Sequence, residues 1–145
     1  MGMRSRIATD LLHGILAEAA RTPTLEICGL LLGTDELIDG RLPARNVAAD
    51  PSRRFEIDPA TLLAAYRAER LGGPGIVGCY HSHPTGSPEP SAQDAADAAP
   101  NGWLWLIVAS GEARLWRAGR DGAFHGRFDP VPFACVEASA SSQDG

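Results

Sequence analysis

The sequence predicts an α+β domain, a mixed and mostly antiparallel β-sheet with helices packed on it, in the manner of a three-layer α/β/α sandwich. Three observations carry that expectation. Residues 10–21 have a helical apolar stripe and residues 59–71 have helix-end signals. Short apolar runs bounded by Gly, Pro, Asn and Asp fill much of the rest. Helices and strands alternate in the first part of the chain, whereas the last part reads as a strand meander. With 145 residues of which 44% are hydrophobic, the chain suffices for one core. One domain is expected over residues 1–137, followed by a small, polar, disordered tail over 138–145.

Each element follows from local signals. Leu11, Leu12, Ile15, Leu16 and Ala19 form one apolar face of a helix over Asp10–Arg21, capped by Thr9 or Asp10. Thr24–Leu32 reads as a buried strand ended by Gly33. Leu37-Ile38 and Leu42–Val47 read as a hairpin around Asp39-Gly40, a favoured two-residue turn. Phe55-Glu56-Ile57 is a further short strand. Asp58 then caps a helix that has Pro59 at its first position and ends at Gly72-Gly73. Ile76–Tyr80 is a strand, and Ser91–Ala99 a short helix broken by Pro100-Asn101-Gly102. Trp103–Ala109, Ala113–Arg117 and Ala123–Phe128 form the meander, with turns at Ser110-Gly111 and Gly119–Gly122.

Composition excludes several function classes. A net charge of −5 disfavours nucleic acid and anionic membrane surfaces, and no stretch approaches the length of a membrane span. No basic start followed by an apolar run precedes the first helix. The three cysteines, Cys28, Cys79 and Cys135, are widely spaced and read as reduced thiols rather than a disulfide framework. A cytoplasmic protein is expected; composition says nothing of its oligomeric state.

The densest chemistry lies at His81-Ser82-His83-Pro84, followed by Ser91-Ala92-Gln93-Asp94. Histidines at i and i+2 of an extended chain point the same way. A carboxylate from the next helix completes three sides of a tetrahedron, the ligand count of a catalytic zinc site rather than a closed structural one. Taken singly, each residue has a plainer reading. A lone H-x-H is weak evidence, and Ser91 with Asp94 is also a helix start, with the serine capping and the aspartate at the positive end of the dipole. Together, four residue types at fixed offsets across a strand, a loop and a helix start favour a metal site. Glu89 lies between two prolines and reads as solvated. Cys79 reads as a buried core thiol. His13 and His125 have no second ligand type nearby, and Trp103, Trp105 and Trp116 read as core or edge cover. Arg53-Arg54 reads as a solvated face able to meet an acidic partner.

The spacing H-x-H-x7-S-x-x-D resembles the signature of the JAMM (MPN+, Mov34/JAB) zinc metalloproteases. The resemblance extends to Glu26-Ile27-Cys28-Gly29-Leu30-Leu31-Leu32-Gly33, to Asn46 and Phe55–Pro59, and to Gly78-Cys79-Tyr80 leading into the histidines. It implies the family's cytidine-deaminase-like fold over about residues 5–135. It also implies one zinc per chain held by His81, His83 and Asp94, with Glu26 as acid/base and Ser91 as donor to the oxyanion. Partial burial beside Leu25 and Ile27 is expected to raise the Glu26 pKa into a useful range.

The segments where the family's eukaryotic deubiquitinases carry ubiquitin-gripping insertions are short here, between Ile57 and Tyr80 and between Asp94 and Trp103. Small bacterial members of the family resemble peptidases acting on ubiquitin-like sulfur-carrier proteins. The implied reaction is hydrolysis after a carrier's C-terminal Gly-Gly, from a carrier–cysteine adduct or a C-terminal extension. An extended tail of that kind needs little side-chain recognition. The alternative is a non-catalytic MPN-type scaffold, which the full set Glu26, His81, His83, Ser91 and Asp94 argues against. A nucleoside deaminase requires H-x-E with P-C-x-x-C, and neither occurs in this sequence.

Overall fold

A computed structural model describes residues 5–137; the tail expected over 138–145 lies outside the described residues. The elements are β1 (Ser5–Ala8), α1 (Thr9–Arg21), β2 (Cys28–Gly33), β3 (Leu37–Ala44), α2 (Pro59–Arg70), β4 (Ile76–Ser82), α3 (Ala92–Asp97), β5 (Leu104–Ala109), β6 (Glu112–Gly122), β7 (Gly126–Val131) and β8 (Phe133–Val136). One mixed sheet of eight strands runs β7-β6-β5-β4-β2-β3-β1-β8. Pairings β4–β5, β1–β3 and β1–β8 are parallel and the rest antiparallel, so the expected fold class holds. β7 and β8 stand at opposite ends of this order, yet only Pro132 separates them in the chain. Consecutive Cα atoms are about 3.8 Å apart, so the two edges meet there and the sheet is curled on itself.

The sheet buries a different cluster on each face. On one, Leu11 and Ile15 of α1 pack against Leu31, Tyr80, Leu106 and Val108. Burial of each such side chain contributes about 1.5–3 kcal/mol. On the other, Cys79, Trp105, Ile107, Trp116 and Phe128 are covered by Phe55, Ile57 and by Ala95 and Ala98 around α3. The register sets Cys28 opposite His81 and Leu30 opposite Cys79, which puts the first histidine on this second face.

Several boundaries differ from expectation. The hairpin does not turn at Asp39-Gly40: β3 runs straight through it, with Gly40 opposite Leu32. The reversal falls just after Gly33, at φ +133°, where a Cβ would lie 2.3 Å from the Leu37 carbonyl oxygen. The Thr34 hydroxyl accepts from the N–H groups of Glu36 and Leu37 and closes that turn. The strand expected from Thr24 begins only at Cys28. Phe55–Ile57 makes a single bridge, Asn46 to Ile57, rather than a sheet strand.

α1 is capped by neither Thr9 nor Asp10. β1 runs directly into it, Ala8 is the N-cap without a side-chain bond, and the Thr9 hydroxyl donates to Val136 O instead. β1 and β8 were not expected, because four-residue strands carry no readable period. Ser110-Gly111 does form the expected turn, with φ +52° and +78°. β6 continues through Gly119–Gly122, so the next reversal and β7 come later than the sequence suggests. Asp58 caps α2 as expected, its side chain accepting from the Ala60 N–H.

Candidate metal centre

β4 carries His81 within the strand, and the chain stays extended one residue further, because His83 N–H donates to Val108 O at 2.9 Å. Both imidazoles therefore emerge on one side. The loop that follows is tied at two points. Trp116 Nε1–H donates to Pro88 O at 3.0 Å, and His83 Nδ1 lies 2.8 Å from Ser87 O. The loop ends in a capping box: Ser91 Oγ accepts from Asp94 N–H, and Asp94 Oδ2 accepts from Ser91 N–H, each at 3.0 Å. The plain reading of Ser91 and Asp94 as a helix start is thus correct, and it also serves the site. The carboxylate oxygen that closes the box lies 3.2 Å from His81 Nε2 and 3.1 Å from His83 Nε2.

His81, His83 and Asp94 each offer a ligand atom, all within 4.8 Å of one another. The donor chemistry tests whether a cation fits. A carbonyl only accepts, so the contact with Ser87 O puts the His83 proton on Nδ1 and leaves a lone pair on Nε2. That lone pair faces a carboxylate oxygen at 3.1 Å and His81 Nε2 at 3.1 Å. Such a convergence of acceptors is favourable only around a proton or a cation. Two imidazoles and one carboxylate suit zinc with an open position. The residues present fit the metal.

Burial opposes the charge of Asp94, but attraction to His81, the close contacts with His81 and His83 and the Ser91 N–H outweigh it and hold the carboxyl well below its usual range. Burial pushes the wholly enclosed His81 below the ordinary histidine value, with Asp94 only partly restoring it. For His83 burial also lowers the value, but the bonds to Asp94 and Ser87 prevail and it rises.

Glu26 precedes β2 and is 4% exposed. Its backbone is held on both sides: its N–H donates to Pro51 O at 2.8 Å, and Asn46 Nδ2 donates to its carbonyl at 3.0 Å. The next residue is bound to β4, Ile27 N–H donating to Ser82 Oγ at 2.9 Å. Its side-chain Oε1 is buried without a hydrogen-bond partner among the described residues. Burial first, then repulsion from Asp94, pushes the carboxyl up to about 7, against a smaller lowering by His83. Glu26, His83 and Ser91 line one cavity of about 210 Å³ together with Ser52, Arg53, Pro84 and Thr85. All five residues singled out from the sequence therefore lie in one place.

Sequence reasoning missed the supports. The Phe55 ring stacks on His81 at 4.3 Å and 21°, and an apolar groove runs on from it past Ile57, Leu62, Trp103 and Trp105. The resemblance marks Asn46 and Phe55 without giving them a role, and Ser82 and Trp116 are held by contacts distant in sequence, for which no local signal exists. Glu89 is exposed and 3.8 Å from Arg114, outside the cluster. Cys79 is buried in the core, His13 is exposed, and His125, also exposed, lies 3.2 Å from Pro90 O at the end of the loop rather than among the clustered side chains.

The model of prokaryotic homologs of the JAB domain matches residues 8–119. A desampylase of Haloferax volcanii is 36% identical over 112 residues, 73% of this chain and 81% of the relative. A probable TtuB-protein conjugate cleaving protease of Thermus thermophilus is 32% identical over 97 residues, 67% of this chain and 65% of the relative. Among solved structures, a Desulfitobacterium hafniense protein is similar with a TM-score of 0.76 and 26% identity, covering 91% of this chain and 92% of that one. None of the described helices is long and apolar enough to cross a membrane. The chain belongs to the prokaryotic JAB family and is a small JAMM/MPN+ hydrolase of the metalloprotease type.

Proposed function

We propose that this protein is a zinc-dependent peptidase or isopeptidase that hydrolyses the bond after the C-terminal Gly-Gly of a ubiquitin-like sulfur-carrier protein. One observation carries the reading: Glu26, whose buried Oε1 has no hydrogen-bond partner among the described residues, shares a cavity with His83 and Ser91 beside the His81–His83–Asp94 cluster. The names of the Haloferax and Thermus relatives support the substrate class. His81, His83 and Asp94 would hold one zinc per chain, which when bound supplies Lewis acidity for polarising water and the scissile carbonyl.

The chain's own residues do the rest. Glu26, with its pKa near neutrality, takes a proton from the attacking water and delivers it to the leaving nitrogen as the C–N bond breaks. Ser91 Oγ accepts from Asp94 N–H, which leaves its own O–H free to donate to the developing oxyanion. Ser87 O holds His83 in the tautomer that presents Nε2. The apolar groove beyond Phe55 offers a surface for the carrier's tail on the acyl side.

The test has two parts. Protein purified without added metal should carry one zinc per chain by elemental analysis, and His83→Ala should lose most of it. The zinc-bearing protein should remove a residue placed after the Gly-Gly of a sulfur carrier and leave lysine-linked ubiquitin chains intact. Wild-type protein free of zinc overturns the metal assignment; efficient cleavage of ubiquitin chains overturns the substrate.

A further inference from the structure

The cavity that holds Glu26 belongs to the leaving side of the scissile bond, because Glu26 must reach the nitrogen that departs. Besides Glu26 and His83, its charged lining residue is Arg53, with Ser52, Thr85 and Ser91 supplying hydroxyls. Arg53 has little else to do. Its carboxylate partner is Asp50 at 3.9 Å, with the two side chains 84% and 56% exposed, a pair of the kind that water readily exchanges. The adjacent Arg54 is committed elsewhere, to Asp97 at 3.2 Å. The two arginines that look alike in the sequence therefore part company: Arg54 reaches Asp97, whereas Arg53 lines the cavity with its side chain 84% exposed.

The position of Arg53 is tied to that of Glu26. Asn46 Nδ2 donates to Glu26 O at 3.0 Å and to Arg54 O at 3.1 Å, and Glu26 N–H donates to Pro51 O at 2.8 Å. Within the turn, Arg53 N–H donates to Asp50 O at 3.1 Å. The backbone on both sides of Arg53 is thus fastened to the residue that would protonate the leaving group. The cavity is small, about 210 Å³.

Resting on the function proposed above, we propose that Arg53 binds the free α-carboxylate of the leaving residue, so that the site prefers to release a single C-terminal amino acid from the carrier rather than to cut a lysine isopeptide. A guanidinium fork matches a carboxylate in two parallel hydrogen bonds. An isopeptide's leaving lysine lies within a chain and offers no α-carboxylate at that point.

The experiment uses the zinc-bearing 145-residue chain and three substrates built on one sulfur carrier: Gly-Gly-Ala with a free carboxylate, Gly-Gly-Ala carboxamide, and Gly-Gly joined to a lysine side chain of a second protein. Wild type should favour the acid over the amide by at least about tenfold in kcat/KM, mainly through KM. In Arg53→Gln the acid-to-amide ratio should fall to about one, and Arg53→Lys should restore part of it. A wild-type ratio near one, or a ratio kept in Arg53→Gln, overturns the role of Arg53. Cleavage of the lysine conjugate without cleavage of either Gly-Gly-Ala substrate also overturns it, leaving the carrier hydrolase intact. Failure to cleave all three overturns the proposed function itself.

Discussion

Asn46 Nδ2 donates to the carbonyl oxygen of Glu26 at 3.0 Å across 20 residues of sequence. The same amide reaches Arg54 O, while its Oδ1 accepts from the N–H groups of Ala48 and Glu56. One half-buried side chain thus joins the end of β3, the approach to β2 and the turn at 50–54. Asn46→Ala should destabilise the protein by about 2 kcal/mol, since it strands several backbone groups at once. It should also lower turnover more than zinc content, because it loosens the backbone of Glu26 and not that of a ligand. Urea unfolding and elemental analysis of the same preparation check this; a loss of zinc matching the loss of turnover would assign Asn46 to the metal cluster instead.

Glu26→Gln should keep the zinc and lose at least about 10² in turnover, the usual worth of a general acid/base. In metal-stripped protein the same change should alter stability with a definite sign. Burial and Asp94 push the carboxyl up to about 7 in the folded state, above its ordinary value of 4.5, so the folded state binds more protons between those values. Its ionisation therefore costs nothing below that window and destabilises increasingly as pH rises through it. Glu26→Gln should match wild type near pH 4 and exceed it by about 2–3 kcal/mol near pH 8. Chemical denaturation at the two pH values measures the difference, and a variant less stable at the higher pH would contradict the burial argument.

Ser91 has two separable duties. As the N-cap of α3 it accepts from Asp94 N–H, and Ser91→Ala should cost about 1 kcal/mol of stability. As an oxyanion donor its removal should cost on the order of 10²–10³ in kcat. Ser91→Asp keeps a capping acceptor but, ionised, has no proton to donate, so it should recover most of the stability while activity stays low. If activity returns with stability, Ser91 acts through the helix alone.

The thiols should be silent in the reaction. Burial pushes Cys28 up to about 12 and Cys79 well above the ordinary thiol range, whereas Cys135 is exposed. Alkylation of folded protein near pH 7.5 should label Cys135 alone and leave turnover unchanged. Intact-mass measurement counts the adducts; inactivation that tracks labelling of Cys79 would require a different mechanism.

The sequence by itself determined the fold class, the helices and the grouping of His81, His83, Ser91 and Asp94, and Glu26 joined them through the family resemblance. Those inferences rest on local facts: period two brings His81 and His83 to one side of an extended chain, and a serine three residues before an aspartate makes a capping box that turns Asp94 toward its own helix start. Gly33 and Asp39-Gly40 mark where local reading stopped. Both are turn signals, and only the pairing of β3 with β2 shows which one is used. The tertiary structure alone decided the curling of the sheet through Pro132, the stacking of Phe55 on His81, the clamp from Asn46 to Glu26, and the separation of Arg53 from Arg54. These depend on partners tens of residues away, and such partners leave no period or spacing in the residues that await them.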